Sequence, residues 1–195
     1  MNITALLFGF ALVLSFFPAT AAEDKKEDAV EMALRELFTT YKKGDDEAAL
    51  TQMRALVKIM EEKAAAAVGE QLPAEVGDWK GESMKKDDLG IVGGGISISR
   101  VYVKEEDRVT VKVMKDAPAI QPLIALLGNE DLLALSNRKT TSIAGEKAVM
   151  EGEHKLQMVL DQRIFVELEG SENVGEKDLV ALARKLDLRA LSKLK

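Results

Sequence analysis

Residues Ile96–Asp116, ISISRVYVKEEDRVTVKVMKD, decide the fold. Ile96, Ile98 and Tyr102 alternate with Ser97 and Ser99; after a charged turn, Val109, Val111 and Val113 alternate with Thr110 and Lys112. Period-two alternation of β-branched residues is the pattern of half-buried antiparallel strands, so the stretch predicts a β-hairpin. Val101 and Val103 lie on the opposite parity to Ile96 and Ile98. Either a bulge sits near Arg100 or the strand is covered on both faces, since a one-residue slip turns every side chain over.

Downstream of the hairpin, Asp116 is placed to cap a helix with Pro118 in its first turn and Ile120, Leu123, Ile124 and Leu127 on its apolar side, ended by Gly128-Asn129. A short helical piece follows at 131–135, then strands near 139–143 and 147–151. Leu156, Met158 and Leu160 share one parity, as do Ile164, Val166 and Leu168. Facing Leu160 with Ile164 leaves residues 161–163 as a three-residue loop. The pattern over 176–186 is an amphipathic helix, and Leu188, Leu191 and Leu194 prolong its apolar edge. Upstream, Trp79 starts a strand running to about Met84. Lys85–Gly95 reads as a polar, glycine-rich loop. Gly93-Gly94-Gly95 lacks the spacing of a phosphate-binding loop and leads into a strand rather than a helix.

Before Leu72 the period is helical. Val30, Ala33, Leu34, Leu37, Phe38 and Tyr41 form one stripe; Ala49, Met53, Leu56, Val57, Met60, Ala64 and Ala67 form another. Gly44 terminates the first helix, Asp45-Asp46-Glu47 start the second, and Gly69 and Pro73 bring it to an end. The expected architecture is α+β: a two-helix hairpin, then an antiparallel sheet of about six or seven strands with helices on one face. Three segments follow: a signal peptide at 1–22, a helical hairpin at 23–70 and an α+β domain at 71–195. Tyr41-Lys42-Lys43-Gly44-Asp45 followed by Ala48-Ala49-Leu50 resembles the junction inside a tetratricopeptide repeat, a family whose stacked helix pairs make grooves for peptides. The likeness covers one turn, and no second copy occurs at that spacing. A hairpin packed on the body or on a partner is therefore expected. A stripe at least 100° wide exceeds what one antiparallel helix contact consumes. Leu34, Phe38, Tyr41, Met53, Val57 and Met60 are thus the candidate partner-binding residues.

Ile3–Phe17 is almost unbroken apolar sequence, followed by Pro18 and Ala19-Thr20-Ala21-Ala22. A short apolar core and a small-residue cleavage site read as a secretory signal, and the run falls short of the ~20 residues that span a bilayer. A mature end at Ala22 or Glu23, export to a periplasm or the exterior, and no stable membrane span after processing are expected. The chain has no cysteine and one histidine, which excludes disulfides, thiolate nucleophiles and histidine-rich metal sites. A net charge of −6 disfavours nucleic acid as a partner. Residues 23–67 carry 8 basic and 11 acidic side chains, whereas 176–195 carry 6 and 3.

His154, between charged neighbours at a strand start, reads as an exposed polar residue rather than a base. Ser97 and Ser99 alternate outward and lack an elbow motif. Glu105-Glu106 and Asp87-Asp88 read as solvated turn residues, and the sequence points to no catalytic residue, cofactor or metal. Trp79 and Arg100 are candidates for ligand contact or core packing. For Trp79 packing is the plainer reading; for Arg100, on the parity of Ile98, it is a structural salt bridge.

The order LP-x3-G-D-W at Leu72–Trp79, R-x-Y at Arg100–Tyr102, V-x-V at Val109–Val111 and LDLRAL at Leu186–Leu191 is similar to small secreted bacterial proteins of unknown function, over residues 72–191. That resemblance implies no activity or cofactor. The expected function is a non-catalytic binding or interaction module acting on an unknown protein partner or on a second copy of itself. The competing expectation is a small-ligand carrier or enzyme with a pocket between sheet and helices.

Overall fold

The computed structural model describes residues 28–90, 93–135 and 138–194; the signal peptide expected at 1–22 lies outside the described residues. Two helices, α1 (Ala29–Lys42) and α2 (Asp46–Glu70), form the expected hairpin. Asp28 caps α1 by accepting from the Val30 N–H, and Asp45 caps α2 by accepting from that of Ala48. Strands follow at β1 (Glu75–Val76), β2 (Trp79–Gly81), β3 (Lys85–Asp87), β4 (Ile96–Lys104) and β5 (Asp107–Lys115). After a 3-10 turn at Pro118–Ile120 come α3 (Gln121–Gly128), α4 (Glu130–Leu135), β6 (Thr140–Ile143), β7 (Glu146–Glu151), β8 (Lys155–Leu160) and β9 (Ile164–Gly170). The last elements are α5 (Glu176–Lys185) and α6 (Leu188–Ser192).

The described residues form one antiparallel sheet of nine strands, in the order β1-β2-β4-β5-β9-β8-β7-β6, with β3 also on β4. This is more than the six or seven strands expected. The extra ones are the two- and three-residue fragments β1 and β3, too short to show periodicity. The β4–β5 register is unbroken from Ile96↔Lys115 to Lys104↔Asp107, so β4 has no bulge at Arg100. The irregularity sits in the facing edge. Gly81 pairs with Tyr102 and Lys85 with Ser99, so three residues, Glu82–Met84, oppose two, Arg100 and Val101. That extra residue ends the expected 79–84 strand at Gly81, and β3 forms at 85–87, inside the stretch expected to be a loop over 85–95. Val101 and Val103 are half-buried on the second face of β4.

Helices lie on both faces of the sheet rather than one. Ile98, Val113, Val166, Met158 and Ala148 stand in register across five strands, on a face covered by Leu179 and Leu182 of α5, Leu188 and Leu191 of α6, and Ala65 and Val68 of α2. On the opposite parity, Met114, Phe165, Val159 and Val149 pack beneath Ile120, Leu127 and Leu133. An apolar helix stripe does not say which side of a sheet it covers, and only the chain's path assigns each helix to a face. The path here turns at Asp116, whose φ is 51°. Asp116 therefore does not cap the following helix. Its carboxylate instead accepts from Arg163 Nε and Nη2, both at 2.9 Å, and from Lys115 Nζ at 2.8 Å. The Arg163 hydrogen bonds first, then Lys115, hold its pKa down to about 2.

Candidate functional site

Helix α1 has no buried residue. It touches α2 along half-buried Val30, Ala33 and Leu37, and Asp28 is fastened to Lys63 by hydrogen bonds of 2.6 and 2.8 Å. The Lys63 bond and the Val30 N–H hold the Asp28 carboxyl below its usual pKa. On α2, buried Ala49 and half-buried Leu56 face back toward α1. Each expected stripe is therefore split, one edge spent between the helices and the other uncovered.

The uncovered edges carry all six candidate partner-binding residues: Leu34, Phe38 and Tyr41 at 49, 62 and 59% exposure, and Met53, Val57 and Met60 at 46, 56 and 50%. Leu50, at 48%, extends the α2 edge by one turn. The sequence reading left it out, although its spacing to Met53 and Val57 is the signal that finds it. At ~100° per residue, Leu34, Phe38 and Tyr41 fall within about 60° of each other, and Leu50, Met53, Val57 and Met60 within about 80°. Both groups are offset the same rotational way from the α1–α2 contact. Because the helices run antiparallel, those offsets bring both stripes to one side of the pair, where they make a two-helix apolar shelf.

The α2 part of this shelf continues into the core. Ala65 and Val68, on roughly the same face two to three turns later, are buried against the sheet. The apolar face of α2 is thus covered by the body over its last turns, while Met53, Val57 and Met60 stay about half exposed before it. Where the cover ends, Met53, Val57 and Glu61 form one wall of a groove of about 790 Å³, faced by Asp87 and Leu89. Charges lie around the shelf: Arg35 bridges Glu31 at 2.9 Å, and the Lys42 ammonium sits 5.4 Å from the centre of the Phe38 ring.

Trp79 and Arg100 occupy another place and have another role. Trp79 is 7% exposed within the main core. Among the described residues Arg100 forms no salt bridge of the expected kind; its Nη1 donates to the Leu72 carbonyl at 2.6 Å. The neighbouring Tyr102 hydroxyl, fully buried, donates to the Pro73 carbonyl at 2.9 Å. Together they clamp the chain leaving α2 onto β4. Gly81 is required for this, because a Cβ there would stand 2.6 Å from Arg100 Cδ.

The groups with chemical potential are tied into the structure. His154 is half-buried rather than exposed, with its Nδ1 donating to the Val174 carbonyl at 2.8 Å. Ser97 does not face outward to solvent: it is fully buried, its hydroxyl donating to Asp87 at 2.8 Å. That bond leads the causes holding the Asp87 carboxyl below its usual pKa, with Lys112 at 3.3 Å contributing. Gln157, 4% exposed, donates to both Glu151 and Glu167, at 3.0 and 2.9 Å. Among the described residues no group of three acidic, histidine or cysteine side chains is placed to hold a metal ion, and no helix is long and apolar enough to cross a membrane. Comparison with family profiles, with curated proteins and with solved structures finds no match to the chain.

Proposed function

We propose that this protein is an exported, non-catalytic interaction module whose working surface is the apolar shelf of the α1–α2 hairpin. One observation carries the reading: a helix without a single buried residue still places Leu34, Phe38 and Tyr41 on the same side as the uncovered Met53, Val57 and Met60. Scattered exposed apolar residues are ordinary, but contiguous patches beyond ~300–600 Å² mark contact surfaces. At roughly 150–250 Å² for a large side chain, exposures of 46–62% over Leu34, Phe38, Tyr41, Leu50, Met53, Val57 and Met60 leave about 700 Å² bare. Three methionines or leucines on α2 give that surface side chains that repack readily against a partner.

Export rests on the apolar run Ile3–Phe17 and the small-residue site Ala19–Ala22. Intact-mass measurement of secreted material should give a chain beginning at Ala22 or Glu23; a mass that retains residues 1–21 removes the processing claim. For the shelf, the test is in-cell cross-linking with identification of the attached proteins. The double substitution Phe38→Ser/Met60→Ser should abolish the principal cross-links while residues 71–195 stay folded. Unchanged cross-links and an unchanged oligomeric state in that variant would mean the hairpin is no binding device.

A further inference from the structure

We infer that the occupant of the shelf is the shelf of a second copy, so that two hairpins close into a four-helix bundle; this rests on the interaction reading above. Helical architectures bury an apolar face by setting one layer of helices on another. Here α1 and α2 supply one layer, two antiparallel helices with both stripes on the same side. Among the described residues the stretch around Asp87 and Leu89 flanks Met53 and Val57 across the groove but leaves them 46 and 56% exposed, and no second layer of helices covers residues 34–60. A single partner helix would lie in the furrow between the stripes and leave their outer edges wet. A second pair of helices covers both.

The area agrees. About 700 Å² of bare apolar side chain per copy is close to the ~800 Å² each partner contributes to a stable interface of ordinary size. A self-contact needs a patch that is complementary to itself, related by a twofold axis. An apolar, methionine-bearing surface meets that condition without requiring opposite charges to be matched. The charges near its ends are mixed rather than of one sign: Lys42 and Lys43 adjoin Asp45, Asp46 and Glu47 at the turn, and Glu61, Glu62 and Lys63 stand at the other end. The hairpin carries a small net negative charge, so burial of the stripes has to outweigh a modest like-charge repulsion that salt screens. The body constrains the arrangement. It covers α2 beyond Glu61 and flanks it from Met53 across the groove, so the twofold runs across the helices, and each copy's body stands at the end of the bundle opposite its neighbour's.

The absence of cysteine makes the test clean, because any cysteine introduced is the only one in the chain. Phe38→Cys lies in the middle of the α1 stripe; Glu36→Cys lies on the far side of the same helix and is exposed. Protein isolated from the producing cell should sediment at twice the chain mass at micromolar concentration. A short bis-maleimide should join Phe38→Cys copies at least tenfold more than Glu36→Cys copies. Phe38→Ser/Met60→Ser should sediment as a monomer with an unchanged circular dichroism spectrum. If that variant fails to fold, Tyr41→Lys places a charge in the contact and should give the same monomer. Equal cross-linking at positions 36 and 38, or a folded shelf variant that stays dimeric, overturns the inference. A monomeric wild type whose in-cell cross-links to other proteins still depend on Phe38 and Met60 overturns the second copy alone and leaves the interaction reading standing. A monomer without such cross-links ends both.

Discussion

Leu72 and Phe38 are both large apolar residues of the hairpin and its exit, and they should behave oppositely when removed. Leu72 is 1% exposed and belongs to the main core, whereas Phe38 is 62% exposed. Leu72→Ala keeps the carbonyl that Arg100 holds and deletes only buried side-chain atoms. Leu→Ala changes in packed cores cost 2–5 kcal/mol, and a mid-range value of about 3 kcal/mol applies. For a chain of this size that lowers the melting temperature by about 6–12 °C. It lowers the urea midpoint by roughly 1–1.5 M. Phe38→Ser in dilute protein should cost less than about 0.5 kcal/mol, as surface changes do. The reporter is built in: Trp79 is the only tryptophan and lies in the same buried cluster as Leu72. Urea unfolding followed by its fluorescence reads both variants. If copies associate through the shelf, the Phe38 difference should grow with protein concentration by mass action, while that of Leu72 stays fixed. Should Phe38→Ser cost as much as Leu72→Ala in the dilute limit, the shelf is covered within the single chain and the reasoning fails.

Asp116→Asn tests the Asp116–Arg163 pair, and asparagine tolerates the positive φ of 51°. The carboxyl's folded pKa of about 2 lies below its ordinary value of 3.8, so its contribution is present above about pH 4 and is lost as pH falls through about 2. With both side chains over 40% exposed, the loss at pH 7 should be about 1 kcal/mol. Denaturation measured across pH 2–7 should show it fade toward acid; a difference unchanged at pH 2 rules the carboxylate out as its cause. Gly95 has φ +100°, and a Cβ there would stand 2.6 Å from Ala117 Cα. Gly95→Ala should therefore cost about 2–4 kcal/mol by the same urea assay; a neutral result would show that this loop does not touch Ala117. A chain from Gln71 to Lys195 should keep a cooperative transition, weakened by about 2–4 kcal/mol because Ala65 and Val68 leave the core. A molten product would place the end of α2 inside the body's cooperative unit.

The elements that a period can report were legible. The β4–β5 hairpin, the three-residue loop between Leu160 and Ile164, and both helices of the hairpin appear where alternation and capping residues put them. The six shelf residues could be listed in advance because a stripe too wide for one contact must leave an edge over. What could not be read were choices settled between distant segments. The odd parity of Val101 comes from cover on both faces of β4, whose register with β5 is unbroken, and that cover is supplied by segments far along the chain. Asp116 has the sequence of a helix cap, but Arg163, 47 residues on, takes its carboxylate. Arg100 looked like half of an ion pair and is instead a donor to a backbone carbonyl that only the folded chain brings near. Which sheet face each helix covers is of the same kind, since an apolar helix stripe says that the helix packs but not on which side of the sheet.

The extra residue at Glu82–Met84 also bears on how chains could stack. A sheet edge with free backbone groups is a template for another chain, and growth at such an edge has no natural end. Here the edge is broken into the two short pieces β1 and β3, turned by the bulge, and lined over β3 by the exposed Lys85, Lys86 and Asp87. A second molecule adding as a strand would meet three residues at most before the register breaks, and would have to desolvate two ammonium groups to do so. The far edge, β6, is only four residues long. Fibre-like propagation is thereby discouraged at both borders of the sheet, so this chain can expose apolar helices for association without also offering its strands to open-ended polymerisation.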